Sequence, residues 1–287
     1  MSPQLYWPWS SAMSGETERA EVVRAARELA YDDYLSALLA PRAHQADLLT
    51  LAALFGELAR IPLHVSDATL GEIRLQWWRD AFAAKAASGH PVADAALALE
   101  PRLPAPLSEL MAPVIEAHAA ELYAEPFPTQ DAFDAYATAP VATSFALRAA
   151  ILGRPHMASD PIAATAAATL GHVRTCARLP FLFAKGRYPI PAYRLDASSG
   201  TDAVDEPALR RAMTGLIADA ATAWTALRPQ LQRISPDLRR VVLPTALAGP
   251  YLRAIQKDGR DVLRDIADPS PLERSARLWL AARIGRF

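Results

Sequence analysis

The chain has 287 residues, of which 52% are hydrophobic and 21% are charged, and its formal net charge at pH 7 is −1. This balance excludes the strongly basic surface that is typical of nucleic-acid-binding proteins, so no nucleic-acid partner is predicted. The single cysteine, Cys176, excludes an internal disulfide, is consistent with a reducing compartment, and is interpreted as a small buried residue.

Residues 1–15 are expected to form a tail that precedes a helical domain at residues 16–287. The tail contains no Lys or Arg and no apolar signal core, so neither a secretory nor a transit peptide is predicted. Its segment Tyr6-Trp7-Pro8-Trp9 is interpreted as disordered or docked on the domain, with contact to a membrane interface as the alternative. No run of about 18 apolar residues is present. We therefore expect a cytoplasmic protein that contacts a membrane, if at all, only peripherally.

Apolar residues recur at helical spacing along the chain, and no segment alternates as a strand would. The predicted helices cover residues 16–39, 42–61, 66–87, 91–100, 107–124, 130–152, 159–184, 205–227, 236–257 and 271–284. Pro41 and Pro62 are expected to end the first two helices, and Ser66 to cap the third. A single domain of about ten helices is favoured, and a second domain of about 80 residues after the 186–203 loop is the alternative.

The segment 72–82 contains two adjacent tryptophans, Trp77 and Trp78, between two arginines. Its apolar residues cover so wide an arc that the helix is predicted to be buried against more than one neighbour. Both tryptophans are therefore interpreted as structural anchors in the core. The alternative is that Arg74 or Arg79 points into a cavity and holds an anion.

Further segments follow this one in a characteristic order. They are Tyr136-Ala137-Thr138-Ala139 running to Leu152-Gly153, Leu170-Gly171-His172 running to Gly186-Arg187-Tyr188-Pro189-Ile190-Pro191, and the end Leu278-Trp279-Leu280-Ala281-Ala282-Arg283-Ile284-Gly285-Arg286-Phe287. Together with the helix at 43–61, their order and spacing resemble the squalene/phytoene synthase family over roughly residues 20–287. The resemblance implies an all-α, single-domain, isoprenoid-synthase-like bundle around a central cavity, with helices 42–61 and 159–184 facing each other across it.

Enzymes of this family carry an Asp-x-x-x-Asp motif on each of two facing helices, where the carboxylates share magnesium ions that bind the diphosphate. The resemblance places the first motif near residues 55–62, where Glu57 is the only acidic residue and Arg60 adds a positive charge. It places the second motif in residues 170–183, which contain no carboxylate. We therefore predict no metal ligand, no catalytic residue and no cofactor; magnesium is expected only if the chain is an enzyme after all.

The second window is basic instead, because it contains His172, Arg174 and Arg178. These side chains either bind a diphosphate directly, without metal, or form a solvated face at the end of a helix. The six candidate ligand-binding residues are Glu57, Arg74, Trp78, His172, Arg174 and Arg178.

Two other carboxylate pairs have a spacing of four residues. Asp261 and Asp265 lie among basic neighbours, which favours a surface linker with local ion pairs over a site. Glu121 and Glu125 lie just before Pro126. In the resemblance Glu121 falls at an acidic position of the family, so a functional role is the less favoured alternative for it.

One branch of the family also lacks the aspartates, namely the relatives that act as assembly factors for respiratory complex I. The chain resembles that branch in Glu57-Leu58-Ala59 and in Arg74 with its aromatic neighbour. We therefore predict a pseudoenzyme that binds a partner protein such as a respiratory-complex subunit, or an isoprenoid, lipid or diphosphate ligand.

Two alternatives remain. One is an active prenyl transferase that condenses farnesyl or geranylgeranyl diphosphate at a rearranged site. The other is a membrane-surface isoprenoid or quinone carrier that retains the substrate tunnel. The sequence carries no signal for the oligomeric state.

Overall fold

The computed structural model describes residues 15–195 and 205–287. This part of the chain is helical and contains no β-sheet; Phe127 and Pro191 form an isolated bridge. The helices are α1 (Gly15–Leu29), α2 (Tyr31–Leu38), α3 (Arg42–His64), α4 (Ala68–Ala84), α5 (Pro91–Leu97), α6 (Leu107–Leu110), α7 (Ala112–Ala120), α8 (Gln130–Ile151), α9 (Pro161–Phe183), α10 (Glu206–Leu231), α11 (Pro236–Val241), α12 (Ala248–Ile255) and α13 (Pro271–Ile284). The all-α prediction is confirmed. The segment Tyr6-Trp7-Pro8-Trp9 lies outside the described residues.

Many helices begin at a side chain that accepts hydrogen bonds from the free amides of the first turn. At the start of α4 the Oδ1 atom of Asp67 accepts from the amides of Thr69, at 2.8 Å, and of Leu70, at 3.3 Å. The prediction that Ser66 caps this helix is therefore wrong by one residue. The same capping, with a proline in the first turn, begins five further helices, at His90, Asp160, Asp205, Ser235 and Ser270.

Several predicted helix boundaries are wrong because tertiary contacts override local preference. Ala30, with φ −142°, separates α1 from α2, so the predicted helix at 16–39 is two helices. Pro62 does not end α3, which continues to His64. Carbonyl groups at this end of α3 accept hydrogen bonds from the side chain of Arg187, at 2.7 Å for Pro62, so the last turn is held from outside the helix.

Two other predicted helices are also divided. The predicted helix at 107–124 breaks at Met111 into α6 and α7. The predicted helix at 236–257 becomes α11, a 3₁₀ segment at Leu243–Leu247, and α12, because proline at position 244 cannot donate its backbone amide.

Helix α9 has a central position, since it contributes to two of the three clusters of buried apolar side chains. It approaches α8 closely at Gly171, where an added Cβ atom would lie only 2.2 Å from the carbonyl oxygen of Ala137. Glycine is thus required for these two backbones to pack. Cys176, on the same helix, is buried as predicted. None of the helices in residues 15–195 and 205–287 has both the length and the apolarity that a membrane crossing requires.

Candidate functional site

Helix α4 buries one face and exposes the other. Trp78 is 4% exposed and packs against Phe82, with ring centroids 5.6 Å apart. Trp77 is 38% exposed and meets Trp78 edge-on at 5.1 Å. The anchor interpretation is confirmed for Trp78 and is wrong for Trp77. The prediction that this helix is buried against more than one neighbour is confirmed, because α4 packs against α3, α5, α6 and α7, while the face that includes Trp77 stays exposed.

The exposed face of α4 carries an apolar stripe. Leu70, Ile73 and Trp77 are all exposed, and their spacing of three and four residues places them in one row. Arg74 lies beside this row; it is exposed and makes no hydrogen bond or ion pair with any described residue. We call Leu70, Ile73, Arg74 and Trp77 the α4 stripe. Exposed apolar side chains in contiguous rows are typical of binding surfaces.

Each basic residue of the second window is paired with a carboxylate from another helix. His172 Nε2 lies 2.8 Å from Asp134 Oδ1 on α8. Arg174 Nη2 donates to both carboxylate oxygens of Asp33 on α2, at 3.0 and 3.1 Å. Arg178 pairs with Glu121, which lies at the end of α7. The interpretation of these residues as a solvated face is therefore wrong: the row of cations on α9 is matched by partners that are distant in sequence.

Arg178 and Glu121 form the centre of a buried network. Arg178 Nε donates to Glu121 Oε1 at 2.8 Å, and its Nη2 donates to Oε2 at 2.6 Å. The same Nη2 donates to the carbonyl oxygen of Ala59 on α3. Tyr136 on α8 donates to Oε1 at 2.8 Å, and Nδ1 of His118 lies 3.2 Å from Oε2. Groups from α7, α8 and α9 thus converge on one carboxylate that is 2% exposed, and α3 joins the network through Arg178.

The network fixes the ionisation of its members. Burial alone would raise the pKa of Glu121, but the charge of Arg178 and the interactions with His118 outweigh it and hold that pKa at about 2. Burial and the adjacent carboxylate raise the pKa of Tyr136 well above its ordinary value. Glu121 is therefore an anion, and Tyr136 a hydrogen-bond donor, throughout the neutral range. Sequence reasoning ranked a role for Glu121 low from its place at the end of a helix; the partners Tyr136 and Arg178, 15 and 57 residues away, are visible only in the structure.

The acidic residue of the first window does not join this network. Glu57 pairs with Arg60 one turn further along α3, with Arg60 Nε 3.1 Å from Glu57 Oε2. Burial raises the pKa of the Glu57 carboxyl above its ordinary range, and the charge of Arg60 opposes that shift. Glu57 is thus the only carboxylate in its window and is already neutralised within its own helix.

A second buried cluster lies where α2 meets the C-terminal helices, and sequence reasoning missed it. Asp32 accepts from Tyr251 Oη at 2.7 Å and from Arg274 Nη1 at 3.2 Å. Burial raises the pKa of Asp32, although two neighbouring arginines oppose the shift. The available signal was the adjacent pair of aspartates inside an otherwise apolar helix, because buried charges require partners.

The donor set does not fit magnesium, which takes oxygen ligands including one or two carboxylates. Glu57 and Glu121 are each tied to an arginine, and residues 170–183 have no carboxylate. In the part of the chain that the structure describes, no group of three or more His, Cys, Asp or Glu side chains is arranged to hold a metal ion. The arrangement links helices to one another through fixed charges.

Comparison with known proteins identifies the family. The profile described as squalene/phytoene synthase matches residues 26–275. The crystal structure of squalene synthase HpnC from Alicyclobacillus acidocaldarius is similar with a TM-score of 0.60 and 17% identity, covering 85% of this chain and 94% of that one. A dehydrosqualene synthase in complex with ligand is similar with a TM-score of 0.68 and 11% identity, covering 93% and 96%. No curated protein matches the chain. The chain belongs to the squalene/phytoene synthase family.

Proposed function

We propose that this chain is a non-catalytic member of its family that binds a partner protein, in the manner of the complex I assembly factors it resembles. The observation that carries the proposal is the Arg178–Glu121 network. The guanidinium group of Arg178 bridges α9 and α3 through the carbonyl of Ala59, in the two windows that correspond to the aspartate motifs of family enzymes. Fixed arginine charge therefore stands where paired carboxylates would hold magnesium.

The chemistry of the family's reaction supports this proposal. Ionisation of a prenyl diphosphate needs positive charge concentrated on the leaving group as the bond breaks. The charge of Arg178 is already neutralised by Glu121 through two hydrogen bonds. Arginines that bound a diphosphate equally well before and during ionisation would not raise the turnover rate. A prenyl diphosphate, an isoprenoid or a lipid is accordingly a ligand at most.

The α4 stripe supports a protein partner. Its three exposed apolar residues form a row long enough to meet an apolar groove or helix, and Arg74 adds an unpaired charge beside it. Large aromatic side chains and arginine are the residue types enriched at protein interfaces. The partner that the resemblance suggests is a respiratory-complex subunit, approached from the cytoplasm at the periphery of the membrane.

A gene-deletion experiment in the native host tests the partner proposal. We expect deletion to reduce assembled complex I, and the wild-type gene to restore it. A gene carrying Ile73→Ser and Trp77→Ser should fail to restore assembly, while the purified variant still unfolds cooperatively and loses less thermal stability than Trp78→Ala. Leu272→Ser is the matched control, because Leu272 is strongly exposed on α13, away from the stripe. Unchanged complex I after deletion would refute the proposed partner.

A second assay decides between the proposal and the alternative of an active prenyl transferase. The purified protein is incubated with radiolabelled farnesyl or geranylgeranyl diphosphate and magnesium, with and without NADPH. We expect no apolar product above a control that lacks protein. Formation of squalene or phytoene that is lost in a Glu57→Gln or Glu121→Gln variant would establish the alternative.

A further inference from the structure

A cavity of about 460 Å³ lies at the opposite end of α3 from the Arg178 network. Its wall is formed where the end of α2, the start of α3, α11 and the last turn of α13 meet. Five arginines line it, and none of the described residues that line it is acidic: Arg42, Arg148, Arg239, Arg240 and Arg283. A volume in this range is typical of small-molecule sites. Because like charges repel, so dense a set raises the electrostatic free energy of the folded protein unless a counter-ion binds.

Arg148 is the most deeply buried of these arginines, at 3% exposure. Its guanidinium group donates to Ser36 Oγ at 3.0 Å and to the backbone carbonyls of Val241, at 3.2 Å, and Arg240, at 3.1 Å. These three acceptors are neutral. Burial lowers the pKa of Arg148 to about 10, so the side chain keeps its positive charge at neutral pH. The cavity wall therefore contains a buried cation without a carboxylate in hydrogen-bonding contact.

Arg239 contributes an unsatisfied donor. Its Nε atom is buried and has no hydrogen-bond partner among the described residues. The guanidinium packs against Gly285, where φ is +71° and an added Cβ atom would lie 2.8 Å from Nη2. Glycine at this position thus leaves the space that the arginine occupies. A buried N–H group without an acceptor costs free energy and calls for a ligand that can accept from it.

The remaining arginines leave the positive charge unbalanced. Arg240 pairs with Asp237 at 3.0 Å, but Asp237 is shared with Arg154, whose Nε lies 2.7 Å away. Arg42 and Arg283 are exposed and make no hydrogen bond or ion pair with any described residue. Arg42 is also the first residue of α3, a helix of 23 residues whose N-terminal amides lack a capping side chain. The dipole of α3 adds to the positive potential there.

We propose that this arginine-lined cavity binds a phosphate group, carried by a small diphosphate or phosphomonoester or by the headgroup of an anionic lipid. Four arginines that have no carboxylate partner among the described residues match a multiply charged phosphate better than a monocarboxylate. The arginine forks suit the oxygens of a phosphate, and Nε of Arg239 supplies a further donor. The cavity volume of about 460 Å³ also leaves space for the part of the ligand to which the phosphate is attached.

The proposal does not depend on the proposed function. Arg42 and Ala59 are 17 residues apart on α3, so the cavity lies roughly 25 Å from the Arg178 network along the helix axis. Binding at the cavity and at the windows of the family's aspartate motifs can therefore be separated by variants that change one end of α3 only.

Calorimetric titration of the full chain with inorganic pyrophosphate at low ionic strength tests the soluble source of phosphate. The test variant is Arg42→Gln with Arg283→Gln, because both side chains are exposed and neither makes a hydrogen bond or ion pair with a described residue. The matched control is Arg19→Gln with Arg233→Gln, which removes two exposed arginines elsewhere. We expect affinity to fall at least about tenfold, or about 1.4 kcal/mol, in the test variant, and to change little in the control.

Co-sedimentation with phosphatidylcholine vesicles, with and without phosphatidic acid, tests the lipid source. Binding of pyrophosphate that the test variant loses supports the site and a soluble ligand. Binding only to the vesicles that contain phosphatidic acid, again lost in the test variant, supports the site and a lipid headgroup. The proposal is overturned by absence of binding in both assays, or by equal losses in the test and control variants. Arg239→Gln, which removes the buried donor, should weaken whichever binding is found.

Discussion

Replacing Arg178 by methionine tests the interpretation of the central network most directly. The substitution keeps an unbranched, apolar stem of similar reach but removes the two hydrogen bonds to Glu121 and the bond to the carbonyl of Ala59. Glu121, which is 2% exposed, would then be a buried carboxylate without its main counter-charge. Removing one partner of a buried ion pair typically costs about 3–5 kcal/mol.

The ionisation of Glu121 gives an independent magnitude. Its pKa lies at about 2, against an ordinary value of 4.5. That difference corresponds to about 3 kcal/mol of preference for the charged form in the folded state. Removal of one partner of the ion pair therefore predicts that Arg178→Met loses about 3–5 kcal/mol, a large part of the about 5–15 kcal/mol that stabilises a typical domain, and the low pKa of Glu121 has the matching sign.

Urea unfolding at neutral pH, followed by circular dichroism, measures this loss. Arg233→Met is the matched control, since that arginine is exposed and should change stability by less than about 0.5 kcal/mol. The double variant Glu121→Gln with Arg178→Met removes both charges and should recover much of the loss, because a buried pair can be neutralised at little cost. An Arg178→Met protein within about 1 kcal/mol of wild type would refute the role assigned to the network.

Three further predictions concern the core and the pH response. Trp78→Ala should lower the free energy of unfolding by about 3–5 kcal/mol. Trp77→Ala, at a partly exposed position, should lower it clearly less in the same thermal unfolding assay. Equal losses would contradict the difference in burial. Gly171→Ala should destabilise by about 1–3 kcal/mol or more, because its Cβ meets backbone. Gly215→Ala, which meets only the flexible end of an arginine, should be neutral or stabilising, and a reversed order would show that the helices do not approach as described. In acid titration, the contribution of Glu121 to the free energy of unfolding should be intact above its unfolded pKa, near 4.5, and lost progressively as the pH falls towards its folded pKa of about 2. Glu121→Gln should flatten this part of the stability profile. An unaltered profile would exclude the carboxylate as its source.

The sequence by itself determined the helical class and the family. Apolar residues at helical spacing and the order of the quoted segments are local properties of the chain, and they predict an all-α bundle without knowledge of any contact. The absence of carboxylates from residues 170–183 is likewise legible in the sequence, as is the burial of Trp78, whose neighbours at helical spacing are apolar.

Only the tertiary structure decided how charges pair and which faces are covered. In the sequence, Arg174 and Arg178 are consistent with a solvated row. In the structure they pair with Asp33 of α2 and with Glu121 at the end of α7, which are 141 and 57 residues away in the chain. The sequence predicts Trp77 to be a core residue, but in the structure none of the described helices covers the face of α4 on which it lies, and its side chain is exposed. Helix periodicity encodes which residues share a face, but the identity of the opposing surface depends on contacts between distant segments, and no local pattern specifies those.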